Sequence, residues 1–97
     1  MKLEFCASNE LPQTRWLDAW KDEVTVEKSS DGLVVYSSLC PHNGGKLVRK
    51  GDRLACPWHG AEFAVATGKC LNAKLPRQHR YRAEIAEGKV WVRREDR

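Results

Sequence analysis

Ninety-seven residues (11.1 kDa) suffice for one small domain and leave no room for a second with its own core. With 41% hydrophobic and 31% charged residues the chain lies outside the disordered regime, and its longest notable apolar run, Leu33-Val34-Val35-Tyr36, is far below the roughly 20 residues a spanning helix needs. The net charge of +4 is uneven: residues 1–31 hold four basic and seven acidic side chains, net −3, and residues 32–97 carry +7, a positive part suited to steering an acidic partner.

The opening run Met1-Lys2-Leu3-Glu4-Phe5-Cys6 meets an acidic residue at once and has no apolar h-region, so no secretory signal is expected. A reducing, cytoplasmic setting follows, in which cysteines beside histidines are more often metal ligands or reactive groups than disulfides. No repeat, low-complexity tract or Gly/Ser linker divides the chain, and 1–97 reads as a single domain. In residues 15–20, Trp16 and Trp20 stand four apart, which predicts a short helical turn with both rings on one face. They read as core or strand-facing aromatics rather than a stacking platform, because no interleaved basic-aromatic pattern surrounds them; no nucleic-acid partner is expected.

The remaining elements read as strands. Val24-Thr25-Val26 and residues 33–37 flank the turn chemistry of Ser29-Ser30-Asp31-Gly32, a hairpin. Residues 46–49 and 53–56 flank Lys50-Gly51-Asp52, where Gly51 supplies the positive φ of a tight turn. Residues 81–86 and 89–93 flank Glu87-Gly88, with Val90 and Val92 on one face and Trp91 on the other.

Two short clusters carry the chemistry: Cys40-Pro41-His42 and Cys56-Pro57-Trp58-His59. Each offers one thiolate and one imidazole from a compact loop, and the hairpin between them brings the loops together at its base. Prolines stiffen these loops, while Gly44, Gly45 and Gly60 let backbone pass close to a bulky centre. On spacing alone, Cys2His2 ligation suits a structural zinc and an iron–sulfur centre alike. A disulfide reading leaves His42 and His59 unexplained.

At these residues the chain resembles the Rieske-type [2Fe-2S] proteins, in particular the small Rieske ferredoxins of multicomponent oxygenase systems. Cys40-Pro41-His42-Asn43-Gly44 is similar to the family's first cluster loop, and Cys56-Pro57-Trp58-His59-Gly60-Ala61-Glu62-Phe63 to its second. Phe63 to Gly68 is similar to the strand and turn leaving that loop, and Leu75-Pro76 stands where the family has a proline-containing loop. The resemblance spans about residues 33–92. One departure is that thirteen residues, 43–55, separate His42 from Cys56, fewer than is usual, which shortens the hairpin tip.

The resemblance implies an all-β, Rieske-like antiparallel β-sandwich with a two-loop cluster-binding subdomain at about residues 38–76. It implies one [2Fe-2S] cluster, one iron held by Cys40 and Cys56 and the other by His42 and His59. Neutral imidazoles in place of two thiolates make the centre more positive and easier to reduce, chiefly at the histidine-bearing iron, and could couple proton uptake to reduction. High-potential relatives have a cysteine pair bridging the loops and Ser and Tyr hydroxyls aimed at the cluster. The matching positions here are Gly45, Trp58, Ala61 and Phe63, so a potential at the low end of the family's range is expected.

The function implied is a soluble one-electron carrier passing electrons from a flavin-dependent reductase to an oxygenase component, and not itself an enzyme. A complete oxygenase would need two further histidines and a carboxylate for a mononuclear iron, and only His79 is left over. The alternatives are a small subunit or detached domain of a larger redox enzyme, and a zinc-stabilised binding module. Cys6 and Cys70 read as ordinary reduced thiols and His79 as a surface residue, while Lys46, Arg49, Lys50, Lys69 and Lys74 could form a basic docking face.

Overall fold

The β-branched runs and glycine turns set out nine strands in a computed structural model that describes residues 1–41, 43–58 and 60–95. In chain order these are β1 (Lys2–Ala7), β2 (Gln13–Leu17), β3 (Asp22–Ser29), β4 (Gly32–Ser37), β5 (Val48–Lys50), β6 (Arg53–Ala55), β7 (Glu62–Ala64), β8 (Arg80–Ala86) and β9 (Lys89–Glu95). They form three antiparallel sheets, ordered β1-β9-β8, β2-β3-β4 and β5-β6-β7. The all-β, antiparallel class expected from the sequence is the class observed.

All three expected hairpins form. In the middle one the strands shorten to three residues each, with Val48 opposite Ala55 and Lys50 opposite Arg53, and Gly51 takes φ 64° at the turn. In the last, Val90 and Val92 are fully buried and Trp91 is only partly so, as the alternation requires.

The helical turn expected at residues 15–20 is corrected. Arg15 and Trp16 lie in β2, paired with Val24 and Glu23 of β3, and Trp16 is 53% exposed. The chain then turns tightly, Trp20 N–H donating to the Leu17 carbonyl at 3.1 Å, and Trp20 packs against Tyr81 at a ring-centroid distance of 5.5 Å. Five consecutive residues of β2 pair in register with β3, a long-range ladder that outweighs an isolated helical turn with its costly nucleation.

Two cores share β4 as their wall. Leu33 and Val35 pack on a lower core of Phe5, Leu17, Val24, Val26, Tyr81, Val90 and Val92. Val34 and Tyr36, on the other face, join an upper core of Cys40, Leu47, Leu54, Cys56, Ala61, Phe63 and Val65. This explains the unbroken apolar run 33–36: a strand covered on both faces has no polar side to alternate with. Each fully buried valine or phenylalanine contributes about 1.5–3 kcal/mol by leaving water.

Buried polar groups lock the two cores together. Tyr81 O–H donates to Asp22 Oδ2 at 2.6 Å and Ser37 Oγ donates to Asp22 Oδ1 at 2.8 Å, joining β8, β3 and the end of β4. The chain leaving β4 thus enters the first cysteine loop from a fixed point.

Candidate metal centre

Both cysteines stand at the start of loops with the same backbone frame. In the first, the stem closes through the Leu39–Lys46 bridge and Leu47 N–H to the Ser38 carbonyl at 2.9 Å. Cys40 N–H donates to the Gly45 carbonyl at 2.8 Å, and Gly44 N–H donates to the Cys40 carbonyl at 2.7 Å. In the second, the stem is the β6–β7 ladder ending at Ala55 opposite Glu62. Cys56 N–H donates to the Ala61 carbonyl at 2.8 Å, and Gly60 N–H donates to the Cys56 carbonyl at 3.0 Å. Gly44 and Gly60 sit four residues after their cysteines at φ 73° and 74°, a left-handed conformation that glycine adopts without steric cost.

The loops are twins in backbone but not in sequence. Counting from each cysteine, His42 matches Trp58 in position and Asn43 matches His59. His42 and His59 lie outside the described residues. Cys40 and Cys56 are each 1% exposed within the upper core, and all four cysteines of the chain are thiols. Two buried thiols on matched loops sharing one core suit a thiolate-ligated metal centre, and the donor set of the loops adds the two imidazoles.

The loops touch directly. A β-carbon on Gly45 would lie 3.1 Å from Trp58 Cδ1 and 3.0 Å from Asn43 Oδ1, so the first loop presents bare backbone to the indole of the second. Trp58 nevertheless remains 78% exposed, as do the neighbouring loop prolines to a large degree. Ala61 and Phe63 are buried beside the cysteines and carry no hydroxyl. The one hydroxyl of that core, on Tyr36, donates to Glu27 Oε2 at 2.8 Å; burial first, with Glu27 also contributing, pushes this phenol above its ordinary range.

Two side chains that sequence reasoning missed buttress the loops. Gln78, only 2% exposed, donates from Nε2 to the carbonyls of Ser37 (2.8 Å) and Leu39 (3.1 Å), fixing the approach to Cys40. Asn72 donates from Nδ2 to the Gly60 carbonyl and accepts from Glu62 N–H, both at 2.9 Å, fixing the exit from Cys56. Amides in polar loops carry no spacing signature, so nothing short of the fold distinguishes them from solvated ones.

The other residues singled out fall as follows. Cys6 is buried in the lower core and Cys70 half-buried beside the upper one. His79 is exposed. Of the candidate docking residues, Lys46 pairs with Glu23 at 2.8 Å and Arg49 with Glu27, so part of the basic half is neutralised by the acidic first third of the chain.

An all-β fold with two matched, thiol-bearing loops suits a metal–sulfur protein, and comparison with known proteins specifies which. Residues 1–91 match the Rieske [2Fe-2S] domain. The chain belongs to that family, and the choice left open by ligand spacing is decided: the cofactor is a [2Fe-2S] cluster rather than zinc. Human apoptosis-inducing factor 3 (Homo sapiens) is 32% identical over 85 residues, covering 84% of this chain but 14% of that protein. Among solved structures, a chain of the complex of reduced oxygenase and oxidized ferredoxin in carbazole 1,9a-dioxygenase shares the fold with a TM-score of 0.70. It is 23% identical, covering 94% of this chain and 91% of that one. The Sphingomonas yanoikuyae B1 ferredoxin does so with a TM-score of 0.68 and 24% identity, covering 93% and 95%. The chain spans between 14% and 24% of the length of the curated relatives it matches. No helix among the described residues is long and apolar enough to cross a membrane.

Proposed function

We propose that Cys40, His42, Cys56 and His59 hold the cluster within a single domain of residues 1–97, its cluster-binding part at about 38–76. In this reading the protein is a soluble, cytoplasmic one-electron carrier between a flavin-dependent reductase and an oxygenase component, with a potential at the low end of the Rieske range. The observation that carries the reading is the pair of matched loops with Cys40 and Cys56 buried in one core. When bound, a [2Fe-2S] cluster accepts and returns one electron. The chain's own part is to exclude water from the thiolates with Leu54, Phe63 and Leu47, and to hold both loops by their carbonyls. Likeness to a ferredoxin found with its oxygenase supports the oxygenase as acceptor.

Metal and acid-labile sulfide analysis with an EPR spectrum after dithionite reduction tests this. Two irons, two sulfides and a rhombic signal of low average g are expected, and C40S and C56S should each lose the signal. A reduced spectrum typical of four-thiolate ligation would overturn the ligand assignment.

A second reading, the electron-transfer domain of a larger redox protein, is favoured by the coverage of apoptosis-inducing factor 3, of which the matched part is a small fraction. Stable co-purification with a catalytic subunit would favour it over the free carrier.

A further inference from the structure

A cleft of about 890 Å³ lies where the chain entering β8 runs beside the end of β9. Arg77, Gln78, His79, Arg80, Arg93 and Arg94 line it. Its only carboxylate among the described lining residues, Glu95, stands opposite Arg80 in the β8–β9 ladder and accepts from Arg82 Nε at 2.7 Å. Among the described residues, Arg77, Arg80 and Arg93 have no carboxylate within ion-pair distance.

The sheet itself concentrates positive charge here. Arg93 stands directly opposite Lys2 on one neighbouring strand and Arg82 on the other, three cations in one cross-strand row. Like charges in that relation destabilise a sheet. Lys2 is relieved by Glu84 at 3.5 Å and Arg82 by Glu95, which leaves the central Arg93 uncompensated within the described fold. An unfavourable row beside a concave surface is the arrangement expected where an anion from outside completes the charge balance.

The cleft also leads to the metal centre. Gln78, His79 and Arg94 line a second, smaller cavity of about 230 Å³ as well, whose other walls include Cys40, Pro41 and Gly44. The two cavities share these three residues, and Gln78 among them also donates to the Ser37 and Leu39 carbonyls.

We propose that this cleft receives an acidic peptide segment of the electron-transfer partner, its carboxylates pairing with Arg77, Arg80 and Arg93, so that the partner is anchored alongside the first cysteine loop. This rests on the carrier reading above. Guanidinium forks match carboxylates two bonds at a time, and the wall has no Trp, Tyr or Phe among its described residues on which a nucleotide base could stack. The exposed lysines 50, 69 and 74 are not part of the cleft.

The test titrates hexaglutamate into the isotope-labelled, oxidised holoprotein at constant ionic strength and follows backbone amides by NMR. Saturable shifts at residues 77–80 and 93–95 are expected, with affinity at least tenfold weaker in R80Q/R93Q, partly restored in R80K/R93K, and within twofold of the parent in K69Q/K74Q. Shifts centred on residues 69–74, or equal binding by R80Q/R93Q, would overturn the proposal. So would tripolyphosphate binding tenfold tighter than hexaglutamate under the same conditions, which would assign the cleft to a phosphate ligand. The dithionite-reduced EPR spectrum of each variant separates the two claims: an abnormal spectrum in the parent sinks the carrier reading, while normal spectra with unchanged binding sink only the docking cleft.

Discussion

In the proposed reading Ala61 and Phe63 keep the potential of the centre low, because they fill the upper core beside Cys40 and Cys56 and carry no hydroxyl to donate to the sulfurs. A hydrogen bond strengthened by about 1.4 kcal/mol on reduction raises a one-electron potential by about 59 mV. Ala61→Ser with Phe63→Tyr should therefore move the midpoint upward by some tens of millivolts, a hydrogen bond being worth about that much. Protein-film voltammetry reads this directly, and an unmoved midpoint would refute the role given to these two positions. The remaining cysteines differ for a related reason. Burial first, then Glu10, push the Cys6 thiol above its ordinary value, whereas Cys70 is only half-buried. At pH 7.5 Cys70 should alkylate with iodoacetamide while Cys6 resists, as peptide mass spectrometry of the holoprotein would record. A thiol whose folded value is raised stabilises the fold fully below its unfolded value. That contribution is lost as pH rises through the folded value, so Cys6 should weaken the fold only above about pH 8.5.

At the scale of elements, the loops hold their shape through buttresses rather than through a covalent bridge. Gln78→Ala removes both donors from the Ser37 and Leu39 carbonyls at a buried site and should cost about 1–3 kcal/mol, seen as a lower urea midpoint. Gly45→Ala drives a methyl into the Trp58 ring and Asn43, so cluster loss to a chelator should quicken. Adding Trp58→Ala should slow it again, and if the double variant is as labile as the single one, the indole contact is not what matters. Much of this half of the fold was legible. Cys-Pro-His and Cys-Pro-Trp-His mark the loops because ligand chemistry restricts residue type and spacing, and Gly51 and Glu87-Gly88 mark turns because few residues tolerate positive φ. The strand at Trp16 was not legible, since two tryptophans four apart fit a helical face equally well and only the long-range partner β3 decides between them. Gln78 and Asn72 stayed hidden for the same reason: each acts on backbone carbonyls, which every residue possesses. The pairing of β1 with β9, first strand with last, likewise depends on closure of the whole chain and leaves no local trace.

The molecule as a whole is two cores of unequal independence. The lower one draws on strands of five to eight residues and contains neither of the proposed thiolate ligands. The upper one is built on three-residue strands, too short to stand alone, and two of its buried side chains are the proposed thiolate ligands. Metal binding is then part of the folding free energy of the upper core and only indirectly of the lower. Removing the cluster under reducing conditions should leave the amides of Val24, Val26, Val90 and Val92 slow to exchange while those of Leu54, Phe63 and Val65 become fast. β4 is the informative boundary, because Val35 faces the lower core and Val34 the upper one on a single strand, alternate amides of which donate to β3. Protection of those β3-directed amides should survive cluster loss, since β3 remains in place as their partner. Hydrogen exchange in which all of these amides lost protection together would show a single cooperative unit, with the lower sheets as dependent on the metal centre as the loops that hold it.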